Sequence, residues 1–211
     1  FKKGKKSTGN RLLLAAHMDE VGLIITRATE DGFLKFDFVG GVDRRVALGK
    51  PVVLGPKKIP GVIGMKAIHM LSREDMKKVP KTESLYIDIG ASSREEAEEM
   101  AEPGTYGAFV CEGEPLGSDF FKAKAIDDRV GCAIMLKLLQ EELPLDVTFA
   151  FTAQEEVGTR GAFAAAFSVT PEVALVLETT TAADLPGMEG HQKVCVPGAG
   201  AVIPFMDKGS I

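Results

Sequence analysis

Cysteine is scarce in this chain of 211 residues. Cys111, Cys132 and Cys195 are odd in number and far apart, and no Cys-x-x-Cys pair occurs. That excludes a zinc knuckle and a disulfide framework, and the three read as buried, reduced thiols. An excess of basic charge is also missing: 25 Lys and Arg face 30 Asp and Glu, for a net charge of −5. No general basic field is present to hold nucleic acid. No apolar run approaches the roughly 18 residues of a membrane helix. The opening Phe1-Lys2-Lys3-Gly4-Lys5-Lys6 is basic but leads into a polar turn, not the apolar region of a signal peptide. The cytoplasm is therefore the expected compartment, with no membrane or nucleic-acid partner. Internal repeats and low-complexity stretches are absent. There is no initiating Met, and the chain stops at Ile211 soon after Phe205-Met206-Asp207, so it reads as part of a longer protein.

What is there is ordinary in bulk and organised in detail. Hydrophobic residues at 45% and charged residues at 26% describe a soluble globular protein. The length suits one large domain or two small ones. Residues 11–16 form a continuous apolar run, as in a strand buried on both faces, and 21–26 read as a second strand. From 30 to 118 turn signals crowd together, with short β-branched or aromatic runs at 33–38, 51–54, 62–63 and 85–89. That is the pattern of a small β-barrel or sandwich. Ser92-x-x-Glu95 and Ser93-x-x-Glu96 predict a capped helix over 93–100. Residues 72–81 read as a charged surface loop or short helix. From 120 an α/β pattern returns: a helix over 128–142, a buried strand over 145–152, a short alanine-rich helix over 161–167 and a buried strand over 173–177. In the first helix Val130, Ala133, Ile134, Lys137 and Leu138 mark the expected buried stripe, widened by Met135 and Leu139. Beyond Thr179 the chain is loop-like. The expected class is α/β: a mainly parallel-sheet domain, 1–29 and 119–211, interrupted by a β-rich insertion, 30–118.

Four short apolar runs, at 12–16, 123–126, 147–152 and 173–177, lead into polar groups of one kind. These are His17-Met18-Asp19, Asp127-Asp128, Glu155-Glu156 and Glu178. Open α/β sheets bind ligands outside the carboxyl ends of their strands, so four such ends suggest one site. One imidazole among several carboxylates suggests a divalent metal with a free base beside it.

Each group also has a plainer reading. His17 could be a satisfied structural histidine, or a ligand whose other ring nitrogen is oriented by Asp19. Asp127-Asp128 could cap a helix, or Asp127 could bridge two cations about 3.5–4 Å apart. Glu155-Glu156 could be an exposed acidic loop. In the functional reading one carboxylate ligates while its neighbour takes a proton from activated water. Glu178 could lie exposed at a strand tip, or be buried with a partner, since an unpaired buried carboxylate is costly.

At these residues the chain resembles the glutamyl/tetrahedral aminopeptidase family of dinuclear metallopeptidases. The resemblance lies in His17-Met18-Asp19-Glu20-Val21-Gly22, Ala125-Ile126-Asp127-Asp128-Arg129-Val130-Gly131-Cys132 and Ala153-Gln154-Glu155-Glu156-Val157-Gly158. It continues in Glu178-Thr179-Thr180-Thr181-Ala182-Ala183-Asp184-Leu185-Pro186-Gly187, and in Lys66-Ala67-Ile68-His69 and Tyr86-Ile87-Asp88-Ile89-Gly90-Ala91 of the insertion. The resemblance implies removal of N-terminal residues from short peptides. It implies His17 and Glu178 as terminal ligands of one metal, Asp127 as the bridge and Glu156 as a ligand of the second metal. Glu155 would be the general base, with Asp19 orienting His17. Zinc or cobalt fits these ligands, with manganese a third choice. The Asp127–Asp128 peptide is expected to be cis. The insertion would serve dimerisation and assembly, up to a dodecamer. His69 is then structural, and His191 matches no ligand of the family. The family's downstream ligand histidine and N-terminal helical segment have no counterpart in these residues. An inactive assembly form and a metal-free glycoside hydrolase, sometimes the label given to relatives, are the rival readings.

Overall fold

The computed structural model describes residues 1–7, 9 and 11–204; Phe205-Met206-Asp207 and the end at Ile211 lie outside the described residues. Strand β1 (Leu12–His17) is followed by β2 (Gly22–Ala28), β3 (Leu34–Val39), helix α1 (Arg44–Ala47), β4 (Pro51–Leu54), β5 (Ile59–Met65), β6 (Leu85–Asp88), helix α2 (Arg94–Met100) and β7 (Tyr106–Phe109). The hairpin β8 (Glu114–Leu116) and β9 (Phe120–Lys122) leads to helix α3 (Ile126–Gln140), β10 (Val147–Thr152), helix α4 (Arg160–Val169) and β11 (Val173–Val176).

The fold is mixed α/β. Strands β10, β1 and β11 form a parallel sheet in that order, with β1 in the middle. Strands β2 to β7 close an antiparallel barrel in the order β2-β3-β6-β5-β4-β7. Period-two alternation builds the barrel: Leu34 and Phe36 of β3 point inward while Lys35 and Asp37 do not. Leu23, Ile25, Val52, Leu54, Ile63, Leu85 and Ile87 complete its core. In β2 the register slips between Ile25 and Arg27, which returns Ala28 to the interior. Ser93 caps α2 by accepting the Glu96 N–H, and the Glu96 carboxylate reaches back to Ser92.

A second core lies between the parallel sheet and α3: Leu14, Ala16, Cys132, Met135, Leu143 and Val147. Five of the six β1 residues are buried, as the continuous apolar run predicts. Among the described residues no helix is long and apolar enough to cross a membrane.

Several expectations need correction. Residues 123–126 do not form a strand; the chain turns there through Ala125, which has a left-handed backbone, straight into α3. Strand β11 is not buried: Val173, Leu175 and Val176 are exposed, because among the described residues β11 is a sheet edge that pairs with β1 alone. The buried face of α3 is Asp128, Gly131, Cys132 and Met135, while Val130 and Ile134 are exposed. The larger apolar side chains misled the reading; the helix approaches the sheet on its small and polar residues. Strand β2 belongs to the barrel, so that sheet starts ahead of residue 30. Of the three thiols only Cys132 is fully buried.

Candidate metal centre

The parallel sheet fixes the site, because three of its strands end side by side. His17 is the last residue of β1 and is buried. Met18 continues the chain, its N–H donating to Thr152 O of β10. Beyond β10 a tight turn carries Glu155 and Glu156, with Gln154 in the left-handed region. Beyond β11 comes Glu178, whose carboxylate accepts the Thr179 N–H. Asp127 arrives from the first turn of α3. The shared location expected of the four groups is thus real, although only three come from strand ends.

Around the His17 ring the spacing is short. Nε2 lies 3.1 Å from Asp127 Oδ1, 3.8 Å from Glu155 Oε2 and 3.8 Å from Glu178 Oε1. Nδ1 is 3.2 Å from the Asp19 carbonyl oxygen and 3.5 Å from its carboxylate. The Asp19 carboxylate is occupied elsewhere: it accepts the N–H groups of Glu155 at 3.1 Å and Glu156 at 3.2 Å. Asp19 therefore joins the two halves of the site, setting the ring from its main chain and the Glu155-Glu156 turn from its side chain.

Asp128 also brings an oxygen within 4.8 Å of donor atoms of His17 and Glu178. Its two oxygens are engaged, however, one by the His17 N–H and one by the Gly131 N–H, both at 3.2 Å. Asp128 is fully buried, whereas Asp127 is open to solvent and faces the ring. Asp127 is the better donor of the two.

The electrostatics of the cluster favour a cation. Burial, a hydrogen bond with Asp127 and the charges of Asp128 and Asp127 push the Glu178 carboxyl up to about 7. Glu156 is raised as well, first by burial and then by Asp127. Burial alone would lower the His17 imidazole, but Glu178, Asp127 and Glu155 outweigh it and raise the value. Asp128 is raised by burial, against the two N–H groups it accepts. A crowded carboxyl such as Glu178, which keeps its proton up to near neutrality, gains when a divalent ion replaces that proton.

A model of the M42 glutamyl aminopeptidases matches residues 1–211. The chain belongs to that family. A lysyl aminopeptidase of Pyrococcus furiosus is 32% identical over 213 residues, covering 98% of this chain and 58% of its own length. The structure of an aminopeptidase from the archaeon Desulfurococcus kamchatkensis has a TM-score of 0.86 at 40% identity, covering 94% of this chain and 55% of that one. A TET1 peptidase of Pyrococcus horikoshii, described as assembling into a tetrahedron or a large octahedral shell, has a TM-score of 0.73 at 38% identity, covering 83% of this chain and 54% of that one. The chain thus spans about three-fifths of the length of the curated relatives it matches.

For an M42 chain the remaining local features fall into place. The Asp127–Asp128 peptide is cis. His69 and His191 lie exposed on short 3₁₀ turns. Sequence reasoning missed the residues that brace the site from behind. Glu20 is paired with Lys124 and Arg129, and Arg129 also donates to the Met18 carbonyl at 3.2 Å. Cys132 donates its thiol hydrogen to the His17 carbonyl at 3.2 Å. The spacing of Asp128, Gly131 and Cys132, at i, i+3 and i+4 on one helix face, was the available signal.

Proposed function

We propose that the protein is a metal-dependent aminopeptidase that removes N-terminal residues from short peptides. The observation that supports this most is the convergence of Asp127, Glu155 and Glu178 on the buried His17 ring, in a member of the M42 family. The donor set fits a hard or borderline divalent cation, with zinc or cobalt the best match and manganese next. His17, Asp127 and Glu178 would hold one ion, and Asp127 with Glu156 would contribute to a second. Bound there, such ions polarise a peptide carbonyl and acidify water.

The chain's own residues supply the rest. Glu155 is the general base: it takes a proton from the attacking water and delivers it to the leaving amine. Its main chain is pinned by Asp19, so its carboxylate can work from a fixed turn. The neighbouring Glu156 leaves the same turn on the next residue and is free to ligate. His17 offers Nε2 to the site because Nδ1 is turned toward the Asp19 carbonyl. Assembly of several copies through the barrel belongs to the same proposal, by analogy with the TET relatives.

The test is metal content of the purified, mass-verified protein, together with cleavage of aminoacyl chromogenic substrates with and without chelator. Bound metal and chelator-sensitive release of the chromophore support the reading. Metal-independent cleavage of a glycoside would replace it with the carboxylate-pair alternative. A stable oligomer with neither metal nor peptidase activity would leave a scaffold.

A further inference from the structure

Strand β1 runs out of partners on one side before it ends. In a strand, successive main-chain groups face opposite neighbours. Ala16 and Met18 face β10: Thr152 Oγ1 donates to the Ala16 carbonyl and the Met18 N–H to the Thr152 carbonyl. Ala15 faces β11, where its carbonyl accepts the Leu177 N–H. Ala15 is also the last β1 residue paired with β11. The His17 N–H and carbonyl point to that same side, one step past the ladder. They are buried and need partners.

Helix α3 supplies both. The Asp128 carboxylate accepts the His17 N–H, and the Cys132 thiol donates to the His17 carbonyl. Asp128 sits at the kinked start of α3 and Cys132 four residues on, both buried on the helix's sheet-facing side, so the start of α3 holds both ends of a single residue. Gly131 makes this feasible: a Cβ there would lie 2.7 Å from each Asp128 oxygen. The carboxylate can fold back onto His17 only because position 131 has no side chain.

We propose that Cys132 and Asp128 are positioning residues for His17, a two-point clamp that completes the β1 ladder and fixes where the imidazole enters the site. The clamp deepens the metallopeptidase reading: it makes cation affinity depend on a thiol hydrogen bond to the main chain of His17, made by a group that is not itself a ligand. Outer contacts that orient a ligating histidine typically carry about 10–100-fold in metal affinity.

Two readouts test it on the intact chain. Zinc affinity is measured by competition with a chromogenic chelator. The His17 ring is followed at fixed pH by nitrogen NMR of histidine-labelled, metal-free protein, where only three imidazoles give signals. Cys132→Ser keeps a donor; Cys132→Val keeps bulk and loses the donor. The clamp predicts that Ser stays within about threefold of the parent while Val loses about tenfold or more in zinc affinity. The Val protein should also show a displaced His17 signal, and Gly131→Ala, which pushes Asp128 aside, should displace it too. A packing role predicts the opposite order, with Val equal to the parent and Ser the weaker. That order, or an unmoved His17 signal in folded Val and Gly131→Ala proteins, overturns the clamp. A parent that binds no zinc counts against the metallopeptidase reading alone, and the ring signal then decides the clamp.

Discussion

At the residue scale the proposed mechanism separates proton transfer from binding. Glu155 touches the ring cluster at 3.8 Å, but its turn is anchored by Asp19. If Glu155 is the proposed base, Glu155→Gln keeps the turn and removes that base. Peptide cleavage should then fall roughly a hundred- to ten-thousand-fold while bound metal is retained. Loss of metal along with activity would show that Glu155 ligates instead. Glu178 gives a second prediction, on stability. Its carboxyl ionises near 4.5 in the unfolded chain and near 7 in the metal-free fold. Between those values the unfolded state sheds a proton that the folded state keeps, so rising pH favours unfolding, and the loss is complete above about 7. His17 acts in the same direction. Its value is raised above 6.5, so its contribution is present below 6.5 and is lost as pH rises through the folded value. Partial exposure of Glu178 softens the effect through solvent screening. The melting temperature of the metal-free protein should therefore drop between pH 4.5 and 8. Glu178→Gln should flatten that slope, and zinc should restore stability at the alkaline end. A slope identical in parent and variant would remove Glu178 as its source.

At the element scale the parallel strands were legible in the sequence, and their neighbours less so. The run 12–16 announced β1, and Pro51–Leu54 was read to the residue. Strand β7 was missed because Tyr106-Gly107-Ala108-Phe109 has little β-branched character. A Cβ on Gly107 would meet Leu23 and Leu54 side chains, so the strand that closes the barrel has to be slender there. The buried face of α3 was misread for a related reason: close approach selects Gly131 and Cys132, which no hydrophobicity pattern highlights. His17, Glu155 and Glu178 were legible because a polar residue closing an apolar run is a sharp contrast. Asp19's grip on the Glu155-Glu156 turn was not, since it joins residues more than a hundred positions apart. Helix α4 is coupled to the same turn. The Gly161 N–H donates to the Ala153 carbonyl, and the Thr159 N–H to that of Glu155. A Cβ at Gly161 would sit 2.2 Å from the Ala153 oxygen. Gly161→Ala should thus cost about 1–3 kcal/mol in chemical denaturation and reduce cleavage by shifting Glu155. Ala164→Gly, on the exposed side of the same helix, should cost at most about 1 kcal/mol and spare activity. Equal effects of the two would mean that α4 matters only as a helix.

At the scale of the whole molecule two of the apolar surfaces exposed among the described residues bear on assembly. One lies in the parallel-sheet domain: Phe163 and Phe167 on α4, and Val173, Leu175 and Val176 on the two sides of the edge strand β11. A sheet edge and its covering helix are what an α/β domain buries within itself. The other lies on the barrel, where Leu48, Ile68, Met76 and Val79 line a groove whose other lining residues include Arg45, Lys66, Asp75, Lys77 and Lys78. An apolar centre with a polar rim is the anatomy of a surface between subunits. If the barrel carries assembly, Ile68→Glu places a charge in the middle of that groove and should reduce the molar mass by light scattering toward that of one chain. Zinc affinity should change little, because Ile68 lies in the barrel insertion and none of the site's donors do. Phe167→Glu, equally apolar and more exposed, should leave the assembly intact. Dissociation by Phe167→Glu and not by Ile68→Glu would move the interface to the parallel sheet. Assembly would then run through the end of α4, where Arg11 donates to the Thr170 carbonyl at the start of β1; His17 closes the opposite end of that strand, so zinc affinity would be expected to survive the loss of oligomers.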